Sequence, residues 1–308
     1  MIVKKVELKQ KWESEPAICA CIGYFDGLHI GHRALIDKTL EKAKEKKCSS
    51  ALITFDPDPW VVLKGEENIP HLTSMEERIE IGESLGIDYW IILSFSKVMA
   101  GLPPQQFIDE ILVPLNIKTL VCGFDFSFGA FGKGNFEYLK EHAPFETCKI
   151  DKVLFQDEKI SSTRIEEAIR NGNVDLANKM LGRSYRLTGK VIHGNHLGHG
   201  IGFPTANLDL IHEYVLPQRG VYAGWCIVDG FDYPAIINLG HNPTFNMRKH
   251  LSIEVHLLNF DQDIYGEMVS LEFAAHLRDE ICFQSKEELI CQLNKDKEMA
   301  FILLGESS

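Results

Sequence analysis

The chain has 308 residues, 45% hydrophobic and 25% charged, enough for two domains of ordinary size. A formal net charge of −12 argues against a nucleic-acid surface, which needs clustered Lys and Arg. No apolar run approaches the ~20 residues that cross a bilayer, and the N-terminus turns charged at Lys4 and Lys5 without a signal core. Eight scattered cysteines with no C-x-x-C pair read as free thiols in a reducing compartment, so a cytoplasmic protein is expected.

The apolar run 18–22 predicts a buried strand, and residues 33–47 have helical spacing. Between them lie Gly23, Phe25, Asp26, Gly27, His29, Gly31 and His32. Glycine removes the Cβ that would hold a phosphate chain off, and the helix start offers unpaired N–H groups and the positive end of its dipole. His29 and His32 would stand on one side of the first turn and donate to phosphate oxygens as charge builds. A tight turn whose histidines only cap the helix is the plain alternative. The glycines and Asp26 favour a nucleotide site.

Further along, 51–55, 89–93, 119–122 and 148–154 read as short strands, and 73–85 and 104–115 as helices. Thr73 to Glu76 has the form of a capping box. Alternating strands and helices predict crossover units and a parallel sheet covered on both faces, with ligands beyond the carboxyl ends of its strands. Two loops there, 54–60 and 123–129, mix aromatics with acids or prolines and suit a flat aromatic ligand. At 160–170, Ser161, Ser162 and Thr163 precede Arg164, with Thr163 and Glu166 spaced as another capping box. The same hydroxyls, N–H groups and guanidinium would also hold a polyphosphate.

A helix over 174–181 ends at Gly182, where a domain boundary is expected. Beyond it, runs at 185–191, 221–228, 233–238, 253–258 and 268–273, with glycine and proline between them, predict a small antiparallel barrel. A C-terminal helix over 285–304 follows, with Ser285 and Glu288 as its capping box. The stretch 193–207 carries glycine at 194, 198, 200 and 202, a backbone able to wrap phosphates. Thr205 and Asn207 are neutral oxygen donors that share a face if the segment is extended, and they suit magnesium. A hairpin with a glycine-rich turn is the alternative. Evenly spaced His193, His196 and His199 make zinc a minor reading, because no cysteine lies nearby. Glu254 alternates with apolar neighbours, so it is either an exposed strand acid or an inward general base.

Taken in order, these motifs resemble the prokaryotic bifunctional riboflavin kinase/FAD synthetase family from about residue 18 to 300. The matching residues are Gly23-Tyr24-Phe25-Asp26-Gly27 with His29 and His32, Asp125-Phe126 with Phe128-Gly129, Ser161-Ser162-Thr163-Arg164, and Leu181-Gly182-Arg183 with Tyr185. They continue as Gly202-Phe203-Pro204-Thr205-Ala206-Asn207, Gly220-Val221-Tyr222, Asn242-Pro243-Thr244-Phe245, Glu254-Val255-His256 and Tyr265-Gly266. The resemblance implies a Rossmann-like nucleotidyltransferase domain at 1–182 and a riboflavin kinase barrel at 183–308. It implies Glu254, His29, His32 and Arg164 as catalytic residues. ATP contacts would come from Gly23, Phe25, Asp26, Gly31, Ser161, Ser162, Thr163, Gly194, Gly202, Pro204, Thr205 and Asn207. Flavin contacts would come from Phe55, Asp125, Tyr222 and Arg278, and a magnesium ion would sit on Thr205 and Asn207. ATP is the co-substrate, riboflavin, FMN and FAD are substrates and products, and neither nucleic acid nor membrane is a partner.

Four positions depart from the family pattern. Asp58 stands where a histidine is usual, Phe124 for an acid, Ser127 for an arginine and Glu166 for an arginine. Three of the four remove positive charge or add negative charge around the adenylyl-transfer site, which a polyphosphate would feel as repulsion. The alternative is therefore a chain that makes FMN only, beside a degenerate first domain. The segment His29-Ile30-Gly31-His32 also spells the class I aminoacyl-tRNA synthetase signature, but no lysine-rich partner loop accompanies it.

Overall fold

The computed structural model describes residues 1–8, 16–65, 69–193, 203–241 and 251–305. The chain forms two compact units: Met1–Ile69 with Thr73–Ser161, and Pro70–Leu72 with Ser162–Ser308.

The first unit runs β1 (Ile2–Val6), β2 (Ile18–Ile22), α1 (Ile30–Lys46), β3 (Ser49–Asp56), α2 (Pro59–Lys64), α3 (Met75–Ser84) and β4 (Tyr89–Ser94). It continues through α4 (Lys97–Ala100), α5 (Pro104–Phe107), β5 (Ile117–Gly123), α6 (Phe136–His142), β6 (Glu146–Ile150) and a small hairpin of β7 (Leu154–Phe155) and β8 (Glu158–Lys159). The six-stranded sheet has the order β1-β4-β3-β2-β5-β6, and every pairing in it is parallel. Helices on both faces explain why β2 is apolar throughout. Ile18, Ala20 and Ile22 pack with Phe107 and Ile111, while Cys21 turns to Ile36 and Trp90 on the other side.

Several local expectations shift. The capping box of α3 is Ser74 with Glu77, one residue later than the sequence suggested. The reason is that the Thr73 hydroxyl is already used: it accepts from Gly27 N and donates to Asp26 Oδ1. The helix expected over 104–115 is an α-turn to Phe107, a π-segment Ile108–Leu112 and a 3-10 turn Val113–Leu115. Pro114, which lacks an N–H, prevents a regular α-ladder there. The strand expected over 148–154 ends at Ile150, and the chain turns at Gln156 and Asp157, both with positive φ, to form the β7–β8 hairpin. Strand β1 carries Lys4 and Lys5 on the sheet edge and therefore lacks an apolar signature.

The second unit opens with α7 (Ser162–Arg170) and α8 (Val174–Leu181). Helix α7 starts at Ser162, so Thr163 lies in its first turn rather than capping it, and Glu166 pairs with Arg170 at 3.8 Å. Strands β9 (Tyr185–Ile192), β10 (Ala206–Leu210), β11 (Gly220–Val228), β12 (Phe231–His241), β13 (Leu251–Leu257) and β14 (Met268–Arg278) close a barrel in the order β10-β13-β12-β11-β14-β9. All its pairings are antiparallel. Gly224 makes one close crossing possible, because a Cβ there would lie 2.0 Å from the Glu272 carbonyl oxygen. Helix α9 (Lys286–Leu304) packs Ala300 and Phe301 against Val221, Ala223 and Ile236. Ser285 caps it by accepting from Glu288 N at 3.2 Å, but Glu288 answers the Gln284 N–H instead of closing the box on Ser285. The Arg278 guanidinium clamps α9 through both oxygens of the buried Asp296 carboxylate.

Candidate active sites

Two sites emerge, one in each unit. In the barrel, Asn207 on β10 stands directly opposite Glu254 on β13, and Glu254 stands directly opposite Asn238 on β12. Their neighbours Leu208, Ile253, Val255, Ile237 and Leu239 are buried. Period-2 alternation therefore puts the three polar residues together on the other face. Burial raises the Glu254 carboxyl above its ordinary value. A carboxylate so placed is a stronger proton acceptor than one in open water.

Thr205, just before β10, lines a cleft of ≈ 330 Å³ with Pro204, Ala206, Val255, Leu257, Phe260 and Tyr265, a lining that includes neither Asn207 nor Glu254. That is the size range of small-ligand clefts. His256 Nδ1 lies 2.7 Å from the Pro204 carbonyl and ties this segment to β13. His193 stacks on Tyr265 with ring centroids 3.9 Å apart. Gly194, Gly202, His196 and His199, and with them the glycine loop and two of the three histidines of the zinc reading, lie outside the described residues. The Thr205 hydroxyl and Asn207 carboxamide are hard neutral donors, which fit magnesium carried in with phosphate and water ligands.

In the first unit, the turn after β2 is built from left-handed residues: Phe25 at φ 59°, Gly27 at 75° and Leu28 at 39°. It delivers His29 as the N-cap of α1, where Nδ1 accepts from His32 N at 3.2 Å. The two imidazoles stack at 3.6 Å, with the Phe25 ring edge-on to His32 at 5.1 Å. Gly31 permits this, since a Cβ would come 3.0 Å from the His29 ring. A Cβ at Gly23 would press on the Phe25 ring at 3.3 Å. Asp26 is buried and committed to Arg78 and Thr73.

The remaining expected residues are dispersed. Phe55 packs edge-on against Phe95 at 5.7 Å. Asp125 pairs with Lys159, whose Nζ also sits 4.8 Å above the Phe124 ring. The substituted Asp58 caps α2 by accepting from Trp60 N at 2.6 Å. Ser161 closes the first unit, while Ser162, Thr163 and Arg164 begin the second. Tyr222 is fully buried, and its hydroxyl donates to the Gln218 carbonyl at 2.6 Å. Sequence reasoning missed Asn238, Lys159 and Arg78. Only Arg78 left a signal: a cation on the stripe Met75, Ile79, Gly82 of an amphipathic helix.

A parallel α/β nucleotide-binding unit with a paired-histidine turn, followed by a six-stranded barrel bearing a desolvated carboxylate beside neutral oxygen donors, defines a two-domain phosphoryl- and nucleotidyl-transfer enzyme. An FAD synthetase family model matches residues 11–164, and a riboflavin kinase family model matches residues 181–304. The chain is 39% identical over 294 residues to the bifunctional riboflavin kinase/FMN adenylyltransferase of Bacillus subtilis, covering 94% of this chain and 93% of that protein. Its namesake in Listeria monocytogenes is also 39% identical, over 90% of this chain and 89% of its own length. A crystal structure described as a macrolide-efflux protein from Streptococcus pneumoniae superposes with a TM-score of 0.91 at 32% identity, over 97% of this chain and 99% of that one. The chain belongs to the bifunctional riboflavin kinase/FMN adenylyltransferase family. Both halves are matched, and nothing favours the alternative of a chain that makes FMN only.

Proposed function

We propose that Glu254 is the general base of riboflavin phosphorylation and that Thr205 and Asn207 hold magnesium and nucleotide beside it. The reaction is riboflavin plus ATP to FMN plus ADP. The observation that carries this is the in-register pairing of Asn207 with Glu254, which sets proton acceptor and metal donor on one face. Glu254 takes the proton of the ribityl hydroxyl as that oxygen attacks the γ-phosphorus in line. Magnesium, when bound, supplies neutralisation of the phosphate charge. Pro204 contacts the nucleotide, and Tyr222 and Arg278 are the flavin contacts of the barrel.

The second reaction joins AMP from ATP to FMN, giving FAD and pyrophosphate. His29 and His32 stabilise the charge that gathers on the α-phosphate, with Gly23, Phe25, Asp26 and Gly31 shaping the turn that presents them. Ser161, Ser162, Thr163 and Arg164 hold the departing pyrophosphate, and Phe55 and Asp125 contact the flavin. The catalytic modules divide at Gly182, which the start of the riboflavin kinase match at residue 181 supports. No helix among the described residues is long and apolar enough to cross a membrane. All eight cysteines are free, which supports a cytoplasmic setting.

The test is to incubate the protein with riboflavin, magnesium and ATP and to separate the flavins, then repeat with FMN. FMN and FAD from the first mixture, and FAD from the second, are expected. FMN left unconverted would overturn the second reaction.

A further inference from the structure

Helix α3 lies behind the histidine-bearing turn, and one side chain reaches out of it. Arg78 is only 3% exposed. Its Nη2 donates to Asp26 Oδ1 at 3.0 Å and to the Thr73 carbonyl at 3.1 Å. Its Nε donates to Thr73 Oγ1 at 3.1 Å and its Nη1 to the Tyr24 carbonyl at 3.3 Å. The guanidinium carbon also sits 4.6 Å over the Tyr24 ring. Thr73 Oγ1 accepts from Gly27 N at 2.9 Å, and Thr73 N donates to Asp26 Oδ1 at 3.1 Å. Both residues flanking the apex, Tyr24 and Asp26, and Gly27 beyond them are thereby tied to one planar cation.

The turn needs such a tie. Phe25 and Leu28 hold left-handed dihedrals that non-glycine residues adopt only when the surroundings over-determine them. Released, the turn would relax, and His29, which follows directly as the N-cap of α1, would swing with it. Buried behind the turn and saturated with intramolecular partners, Arg78 acts through the histidines rather than on a ligand.

We propose that Arg78 is a positioning residue for FMN adenylyl transfer, holding the strained turn Phe25–Leu28 so that His29 and His32 keep their stacked arrangement. This rests on the reading of His29 and His32 as the charge-stabilising pair. Lysine would keep the charge but supply a point in place of a fork, and could not serve Tyr24, Asp26 and Thr73 together.

The test compares R78K, T73V, H29N and H32N in the full chain, with FMN formation by the barrel as internal control. Assays are run below the melting transition of the first unit. For R78K the expected result is a loss of about 10- to 100-fold in kcat for FAD formation, with KM for FMN and ATP changed less than about threefold and FMN formation unaltered. T73V should lose kcat in the same direction by a smaller factor. Full kcat in R78K, or a loss no greater than the unfolded fraction seen by circular dichroism, would overturn the positioning role. Undiminished FAD formation in both H29N and H32N would instead overturn the assignment of the pair and the inference resting on it.

Discussion

Asn207 and Glu254 face each other across the β10–β13 ladder, on the side of the barrel away from Leu208, Ile253 and Val255. One is a neutral oxygen donor and the other a carboxylate raised by burial, so the proposed roles would set a metal ligand beside a proton acceptor at a cross-strand spacing of about 5 Å. Glu254→Gln removes the acceptor while keeping size and hydrogen bonding. FMN formation should fall by about 10²- to 10⁴-fold, with riboflavin binding, followed by flavin fluorescence, within about threefold. Retained turnover would exclude Glu254 as the base.

The pH dependence follows from the direction of the Glu254 shift. A general base works as the anion, so under the proposed role kcat for FMN formation should decline as pH falls through a value above the ordinary carboxyl pKa. Stability has the opposite sign. With the folded pKa raised, the favourable protonated form is fully present below the unfolded pKa, and its contribution is lost as pH rises through the folded one. Glu254→Gln should therefore melt no lower than the parent at neutral pH. A lower melting temperature there would show that the anion is stabilising.

Asn207→Leu deletes the proposed metal donor beside Glu254. The magnesium concentration for half-maximal FMN formation should rise at least about tenfold, while FAD formation from supplied FMN stays unchanged. A magnesium titration of both reactions in one preparation checks this, and an unchanged requirement would remove Asn207 from the metal site.

Arg278 and Asp296 form a bidentate pair whose side chains are 16% and 4% exposed. Replacing Asp296 by Ala strands a guanidinium under α9, at a cost of about 3–5 kcal/mol. Denaturant unfolding of the second unit should show that loss. A change under ~1 kcal/mol would mean that solvent takes over the pairing.

Glu166 faces Arg170 at 3.8 Å and adds negative charge to the first turns of α7. Glu166→Arg restores the cation usual in the family and should lower KM for ATP in FAD formation several-fold, with FMN formation unchanged. An unchanged KM would show that residue 166 lies beyond the reach of the phosphates.

Much of this protein was legible from its sequence, because each legible feature was local. A fully apolar run such as 18–22 belongs in a strand covered on both faces, and alternation such as Ile253-Glu254-Val255 belongs in a sheet with one buried side. Capping was legible only approximately. The Thr73 hydroxyl fits a cap by sequence, yet it is bonded to Gly27 and Asp26, so the helix starts on Ser74. No local pattern records such a competition.

The parallel α/β unit followed by an antiparallel barrel was legible in the sequence, since strand and helix patterns depend on residue type and spacing. Tertiary structure decided what meets what. Barrel closure, set by strand register, placed Asn207 and Asn238 on either side of Glu254. The packing of α3 against the turn after β2 likewise brought Arg78, 52 positions from Asp26 along the chain, into hydrogen bonds with that turn. Register and packing are properties of distant segments in contact, and a single sequence read locally does not contain them.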